Sequence, residues 1–387
     1  MATSRYRNSG TDMREIAADL NVRYLLQGSV GKVSDALRIT AQLIDTGINS
    51  SIWAETYKGT LQNVFEIQEE VARKIASALM LKLTPLERVT LGKRPTLDAA
   101  AFDLYLKGRH HLDVGTKRDL DLALSLFERA LERDPRYAAA HAGVAAAAAA
   151  YYEYYDHADS WLDRAVESAL KGLMYDATLS EAYAALALAY FNKGSVDDSR
   201  AACQRAIELD PENWIGYWTL GRIHYVTGRT EEAIEVLRRV IALKPEFYVG
   251  YFMLRMVCQS VGRDEIYRPY LTRLIEEVLP RYLQRNPEDA RARNCYGMEL
   301  SMAGRIQEGR AQADRALAEA PDDPMVLYAT ACYNSQFGDR GCEIEMLERA
   351  INAGFANLRY IEQDPDLRPL HEEPRYRDLV RRPASSS

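Results

Sequence analysis

Few residues in this sequence could carry chemistry, and none has the spacing that a known reaction requires. The segment Gly28–Lys32, which reads GSVGK, comes nearest to a phosphate-binding loop. A P-loop places four residues between its first Gly and its Gly-Lys pair and a Ser or Thr after the Lys. Here two residues intervene and Val33 follows. We therefore interpret the segment as a strand end and a turn, and predict no nucleotide cofactor.

Potential metal ligands and paired acids are also poorly placed for a reaction. His110 and His111 are adjacent, so on a helix they would point about 100° apart and would not bind one metal ion together. The glutamate pairs at 231–232 and 372–373 are interpreted as helix-start or solvated charges, because no apolar pocket is implied that would separate their pKa values. The sequence predicts no catalytic residue, no metal site and no cofactor, and hence a protein that is not an enzyme.

The composition bounds the class of protein and its partners. The 387 residues are 47% hydrophobic and 27% charged, which is ordinary for a folded chain and unlike a disordered one. The net charge of −7 provides no basic footprint for phosphate groups, so no nucleic acid is expected to bind to this chain alone. The most apolar run, Ala138–Tyr152, is mostly alanine and is broken by His141 and Gly143, so no membrane span is predicted.

The cysteines indicate the compartment. There are five of them, an odd number, and no CxxC pair occurs. They are interpreted as reduced thiols in the protein core, which is typical of a cytoplasmic protein.

An internal repeat organises most of the chain. Similar endings recur, among them Ala206–Pro211 (AIELDP) and Val240–Pro245 (VIALKP), and Pro211 and Pro245 are 34 residues apart. A helix, a turn, a second helix and a proline-marked link form one hairpin that cannot bury its own apolar faces. Stacked neighbours bury those faces for each other. Extending the register predicts hairpins at 101–137, 138–179, 180–213, 214–247, 248–289, 290–323 and 324–357.

Large and small residues also repeat at fixed offsets. Leu186, Ala187 and Tyr190 in one hairpin correspond to Leu220, Gly221 and His224 in the next. Small residues are needed where two helices approach closely, and large ones fill the gaps between them. The hairpin at 248–289 is longer than the others, and Pro269 and Pro280 fall within its predicted second helix.

This pattern resembles the tetratricopeptide repeat, in which a large residue, Leu-Gly, Tyr, Ala, Phe, Ala and Pro occupy such offsets. The resemblance implies a mainly α fold, a solenoid of about seven helical hairpins, preceded by a small incomplete α/β domain. It also implies that a protein or peptide partner binds in a concave groove lined by the first helix of each hairpin. By register, the groove residues are Leu188, Phe191, Asn192, Trp218, Arg222, Tyr225, Asn294, Met298, Tyr328 and Gln336. Aromatic and Arg side chains are typical of binding hot spots, although each residue could instead pack against a neighbouring repeat.

The first 83 residues have a different pattern. Asp12 and Glu15 mark the start of a helix that runs to Leu20. Apolar residues alternate with polar ones from residue 37 to 43, which predicts a strand with one buried face, and residues 24–30 and 51–57 are also strand-like. A second helix follows and ends at Pro85.

Phrases in this part are similar to the TolB-like amino-terminal domain that precedes tetratricopeptide arrays in bacterial regulators. They lie at 14–17 (REIA), 22–30 (VRYLLQGSV), 37–45 (LRITAQLID), 53–57 (WAETY) and 65–71 (FEIQEEV). Asp364–Leu370 (DPDLRPL) and Pro374–Val380 resemble the closing segment of the same proteins. Such relatives often carry an adenylate cyclase, a winged-helix DNA-binding domain or a kinase upstream. Their TolB-like domain also begins with an earlier strand and helix, so the three strands here would expose an edge to which a second copy could pair.

The predicted organisation is a partial TolB-like domain at 1–83, a linker at 84–100, a repeat array at 101–357, a capping segment at 358–382 and a disordered tail at 383–387. The first functional hypothesis is a cytoplasmic, non-catalytic scaffold that binds a partner segment in the groove. The alternative is the sensory or regulatory portion of a bacterial adenylate cyclase or winged-helix transcriptional regulator whose output domain lies outside this chain.

Overall fold

The structure, a computed structural model, describes residues 13–20, 22–33, 36–48, 50–60, 64–79, 95–337, 342–355, 361–362 and 364–380. The predicted linker up to residue 94, the turns at 34–35 and 338–339 and the predicted tail lie outside these ranges. The chain divides into two compact units, Met1–Thr219 and Leu220–Ser387. Helices dominate both units, which confirms the predicted mainly α fold.

The first unit begins with a small sheet between two helices. Its elements are α1 (Met13–Leu20), β1 (Tyr24–Val33), β2 (Ala36–Asp45), β3 (Ser50–Thr60) and α2 (Val64–Ala78). The strands pair antiparallel in the order β1-β2-β3. Leu37, Ala41 and Leu43 of β2 are buried, as their alternation predicts. The three predicted strands and the two helices around them are confirmed, but α2 ends at Ala78, and Pro85, its predicted end, lies outside the described residues. The segment Gly28–Lys32, interpreted as a strand end and a turn, lies wholly within β1.

Helical hairpins make up the rest of both described units. Those of the first unit are α3 (Ala99–Val114) with α4 (Lys117–Arg133), α5 (Ala138–Tyr154) with α6 (Asp159–Tyr175), and α7 (Ser180–Asn192) with α8 (Val196–Leu209). Helices α9 (Trp214–Val226) and α10 (Thr230–Leu243) form the next hairpin, and the boundary between the units falls within α9. The second unit continues with α11 (Tyr248–Ser260), α12 (Asp264–Arg273), a π-helical segment (Leu274–Val278), α13 (Leu279–Arg285), α14 (Ala290–Met302), α15 (Ile306–Glu319), α16 (Pro324–Phe337), α17 (Cys342–Asn352), a 3₁₀ turn (Pro365–Leu370) and α18 (Pro374–Val380).

Small residues lie where helices of stacked hairpins come close together. The ring of Phe127 on α4 fills the space beside Gly108 on α3 and Gly143 on α5. A Cβ atom built on either glycine would lie 2.7 Å from that ring, closer than any real packing contact. Gly194 and Gly228, in the turns of two hairpins, have φ angles of 80° and 74°, a left-handed conformation that Gly adopts without steric cost.

The longest hairpin keeps its second helix despite two prolines. Pro269 lies inside α12, and Pro280 follows the π-helical segment near the start of α13. In the π segment the N–H of Leu279 donates to the carbonyl of Leu274, one residue farther back than in an α-helix. This wider turn accommodates the missing N–H and the ring of Pro280. The helix therefore continues through a π bulge at the position of the second proline.

Candidate protein-binding site

In the first unit, the first helices of the hairpins form a mixed polar and apolar surface. Helix α5 is largely alanine, so side chains of α3 and α7 meet across it. A guanidinium nitrogen of Arg109 on α3 lies 3.8 Å from a carboxylate oxygen of Glu181 on α7, and Asn192 Nδ2 donates to Glu153 Oε2 at 2.9 Å. We call this surface the α3-α5-α7 face. Its residues are Leu106, Arg109, Glu153, Glu181 and Asn192.

Four residues predicted to line the groove lie in the first unit. Leu188, Phe191 and Asn192 on α7 are partly buried, and Leu188 packs against a cluster that includes Leu162. Trp218 on α9 is buried. Asn192 therefore belongs to the α3-α5-α7 face, whereas Trp218 presents almost no surface.

The other six predicted groove residues lie in the second unit. Arg222 and Tyr225 on α9 are partly buried. Asn294 on α14 is buried, and its Nδ2 donates to the hydroxyl of Thr330 at 2.9 Å. Met298 is buried in the apolar cluster of this unit. These last two side chains hold neighbouring helices together and are not accessible to a partner.

The remaining two predicted groove residues contact the chain's own C-terminal segment. The hydroxyl of Tyr328 donates to the carboxylate of Asp364, and both groups are buried. Gln336 Nε2 donates to the backbone carbonyl of Asp366 at 2.7 Å. The segment that begins at Asp364 thus occupies the face of α16 that the sequence assigned to a partner.

A buried Arg holds this segment. Arg255 on α11 is 1% exposed, and its two terminal nitrogens donate to the two carboxylate oxygens of Asp366 at 2.9 and 2.7 Å. Its Nε donates to Glu299 Oε1 at 2.9 Å, and Gln259 accepts from Nη1 at 2.7 Å. The hydroxyl of Tyr267 donates to Glu299 Oε2 at 2.8 Å. Such a two-point contact between guanidinium and carboxylate is strong and directional.

The buried cluster contains more carboxylates than cations among the described residues. Glu299 and Asp366 both pair with one guanidinium, that of Arg255, whereas Asp364 accepts hydrogen bonds from Tyr328 and from the backbone N–H of Asp366. Burial opposes the charge of Arg255, but Asp366 and Glu299 outweigh it and hold the pKa of Arg255 well above its ordinary value. Burial raises the pKa of Glu299. Burial and, next, the charge of Asp366 raise the pKa of Asp364 to about 6.

The sequence interpretation missed Arg255, Glu299 and Asp366 as a set. One signal was present: Arg255 is a lone charge in Tyr248–Ser260, which is otherwise free of charged residues. A charged residue surrounded by apolar ones is rarely buried without a partner. The partner lies 111 residues away, so the pairing could not be found by local spacing.

The five cysteines are all free, but not all of them lie in the core. Cys203, Cys258 and Cys332 are buried as predicted, Cys295 is partly buried, and Cys342 at the start of α17 is exposed. Among the described residues, no group of three or more His, Cys, Asp or Glu side chains is placed to bind a metal ion. No helix in the described ranges is both long enough and apolar enough to cross a bilayer.

Comparison with known proteins decides the nature of the hairpins. Residues 181–246 match the family model of the tetratricopeptide repeat. The hairpins within this range are therefore of the tetratricopeptide type. A monomeric mutant of IFIT1 with Gppp-AAAA has a similar repeat fold, with a TM-score of 0.50 and 14% identity, over 78% of this chain and 66% of that one. YrrB, described as a TPR protein with an unusual peptide-binding site, aligns with a TM-score of 0.33 and 21% identity over 49% of this chain and 93% of its own.

A curated relative is similar in sequence over a shorter stretch. The putative adenylate cyclase 3 of Rhizobium meliloti (strain 1021) is 37% identical over 139 residues, which are 36% of this chain and 24% of that protein. The match therefore spans about a quarter of the relative's length.

Proposed function

We propose that this chain is a non-catalytic scaffold whose tetratricopeptide repeats bind a segment of a partner protein. The observation that carries the proposal is the α3-α5-α7 face, where Arg109 and Glu181 from separate hairpins lie 3.8 Å apart and Leu106 on α3 is exposed. Helix-lined surfaces of this kind recognise peptides through apolar anchors and a polar rim. A cytoplasmic location is part of the proposal, supported by the five free thiols.

A charge placed on this face is expected to abolish partner binding. Leu106 is 49% exposed and lies one turn before Arg109, on the same side of α3. Leu106→Glu would place a carboxylate in the contact while exposing no new apolar surface, so the fold should be retained. Affinity capture from the source cell, with wild-type and variant chains compared, measures the loss.

A matched control is available on a second helix. Leu170 on α6 is also 49% exposed, so Leu170→Glu makes the same chemical change away from the face. The proposal requires that Leu170→Glu capture the wild-type set of proteins and Leu106→Glu lose it. If both variants captured the same proteins, the α3-α5-α7 face would not be the binding site.

A second candidate function is the regulatory portion of a bacterial adenylate cyclase or winged-helix regulator. The similarity to putative adenylate cyclase 3 favours it, as does the TolB-like pattern of the first 83 residues. Reading the genomic sequence upstream of Met1 tests this candidate. An in-frame cyclase or winged-helix region supports it, and an in-frame stop codon with no such region contradicts it.

The sheet of the first unit supports a further part of the proposal, pairing with a second copy. Leu26 and Val30 of β1 are 55% and 68% exposed, on the same face as buried Leu43. In an antiparallel pair of β1 strands centred on Gly28, Leu26 of each copy would lie opposite Val30 of the other. Sedimentation equilibrium should therefore give a dimer that Val30→Lys converts to a monomer. A wild-type monomer at all concentrations would contradict the pairing.

A further inference from the structure

The C-terminal segment Asp364–Leu370 lies on the repeat helices of the second unit as a bound peptide would. It contacts α11 and α16, which are first helices of their hairpins. Both polar side chains and backbone are recognised: Arg255 binds the Asp366 carboxylate, Gln336 donates to the Asp366 carbonyl, and Arg368 donates to the carbonyl of Ser260 at 2.9 Å. Leu367 is fully buried beside them.

The carboxylate-binding group is positioned by residues outside this segment. Glu299 and Gln259 accept hydrogen bonds from Arg255, and the ring of Phe252 lies 4.9 Å from the guanidinium carbon. A guanidinium fixed in this way is a ready-made receptor for a carboxylate, since its planar fork matches two oxygens.

The segment supplies two carboxylates on either side of a proline. Asp366 meets Arg255, and Asp364 accepts a hydrogen bond from Tyr328 and lies 3.6 Å from the sulfur of Cys332. The backbone N–H of Asp366 donates to the Asp364 carboxylate at 2.8 Å, which fixes the turn. All four positions of the Asp-Pro-Asp-Leu pattern therefore contact the protein, because Pro365 is buried as well.

We propose that the α11-α16 face of the second unit is a receptor for an acidic Asp-Pro-Asp-Leu turn, and that the chain's own residues 364–370 occupy it until a partner segment of the same chemistry displaces them. This rests on the proposed scaffold function and names the chemistry of one partner. Because the segment is tethered, its local concentration is high, and a free peptide gains access only when the tethered copy is weakened.

The test uses the full chain and a fluorescent peptide of residues 364–380. Asp366→Asn in the chain removes one charge-assisted contact of the tethered segment. The wild-type peptide should then bind the variant chain at least about tenfold more tightly than it binds the wild-type chain. A peptide carrying Asp366→Asn should lose this gain. Fluorescence anisotropy at neutral pH measures both, and circular dichroism checks that the variant is folded.

A second variant of the chain controls for damage to the binding site by the first substitution. Arg368→Ala removes the exposed contact with Ser260 and leaves Arg255, Glu299 and Asp366 in place, and it should also raise peptide affinity. Amide hydrogen exchange of residues 364–370 reports whether the tethered segment is released. The proposal is overturned if the two peptides bind equally, or if neither variant gains affinity, because the segment is then a fixed part of the second unit. Since the scaffold test concerns Leu106 in the first unit, the two can fail separately.

Discussion

Replacing Arg255 with Met is expected to lower the free energy of unfolding of the second unit by about 3–5 kcal/mol. The change leaves the carboxylates of Glu299 and Asp366, both buried, without their cation. An uncompensated charge in the interior costs far more than the ion pair contributes when it is intact. Amide hydrogen exchange on α11 and α16 measures the loss, since repeat hairpins can unfold separately.

An exposed Arg provides the control. Arg305 pairs with Glu276 and Glu308, but its side chain is 36% exposed and those of its partners more so. Arg305→Ala should therefore cost only a small fraction of that loss, because water screens an exposed ion pair. If Arg255→Met cost no more than Arg305→Ala, the buried cluster would not hold the C-terminal segment. Adding Glu299→Gln and Asp366→Asn to Arg255→Met should recover part of the loss, because the unpaired charges are then gone.

The hairpin architecture could be predicted because its determinants are local. The 34-residue spacing, the prolines between hairpins and glycines such as Gly194 and Gly228 all act within a few residues of where they stand. Small residues at the helix contacts have the same local character, as the fit of Phe127 against Gly108 shows. The effect of Pro280 was harder to predict, because an isolated proline does not reveal whether a helix ends or widens into a π turn.

The candidate site could be predicted only in part, because burial depends on which segment covers which helix. The register correctly placed Tyr328 and Gln336 on a first helix, but the segment from Asp364 covers that face. Nothing in the spacing of Asn294 or Met298 distinguishes a groove residue from one that packs against the next repeat. Long-range pairings such as Arg255 with Asp366 need the folded chain to be seen.

Asp364 is expected to make the second unit less stable as the pH rises from about 4 to about 6. Its pKa is raised from 3.8 to about 6 by burial and by Asp366, so the folded state binds a proton that the unfolded state has already released. The stabilisation is fully present below about pH 4 and is lost as the pH rises through 6. A shift of this size corresponds to about 3 kcal/mol.

The variant Asp364→Asn isolates this effect. Its amide cannot ionise and can still hydrogen-bond to Tyr328. Between about pH 4 and about pH 7 the wild type should lose unfolding free energy and the variant should not, so the variant should become the more stable of the two relative to its position at low pH. Asp98→Asn is a control of opposite sign, because the hydrogen bond from Arg133 lowers the pKa of Asp98. Its carboxylate stabilises the fold above about pH 4, and that stabilisation is lost as the pH falls below about 4. Urea unfolding from about pH 3 to about pH 7 measures both differences. A flat difference for Asp364→Asn would mean that Asp364 titrates normally and that the buried cluster carries no excess negative charge.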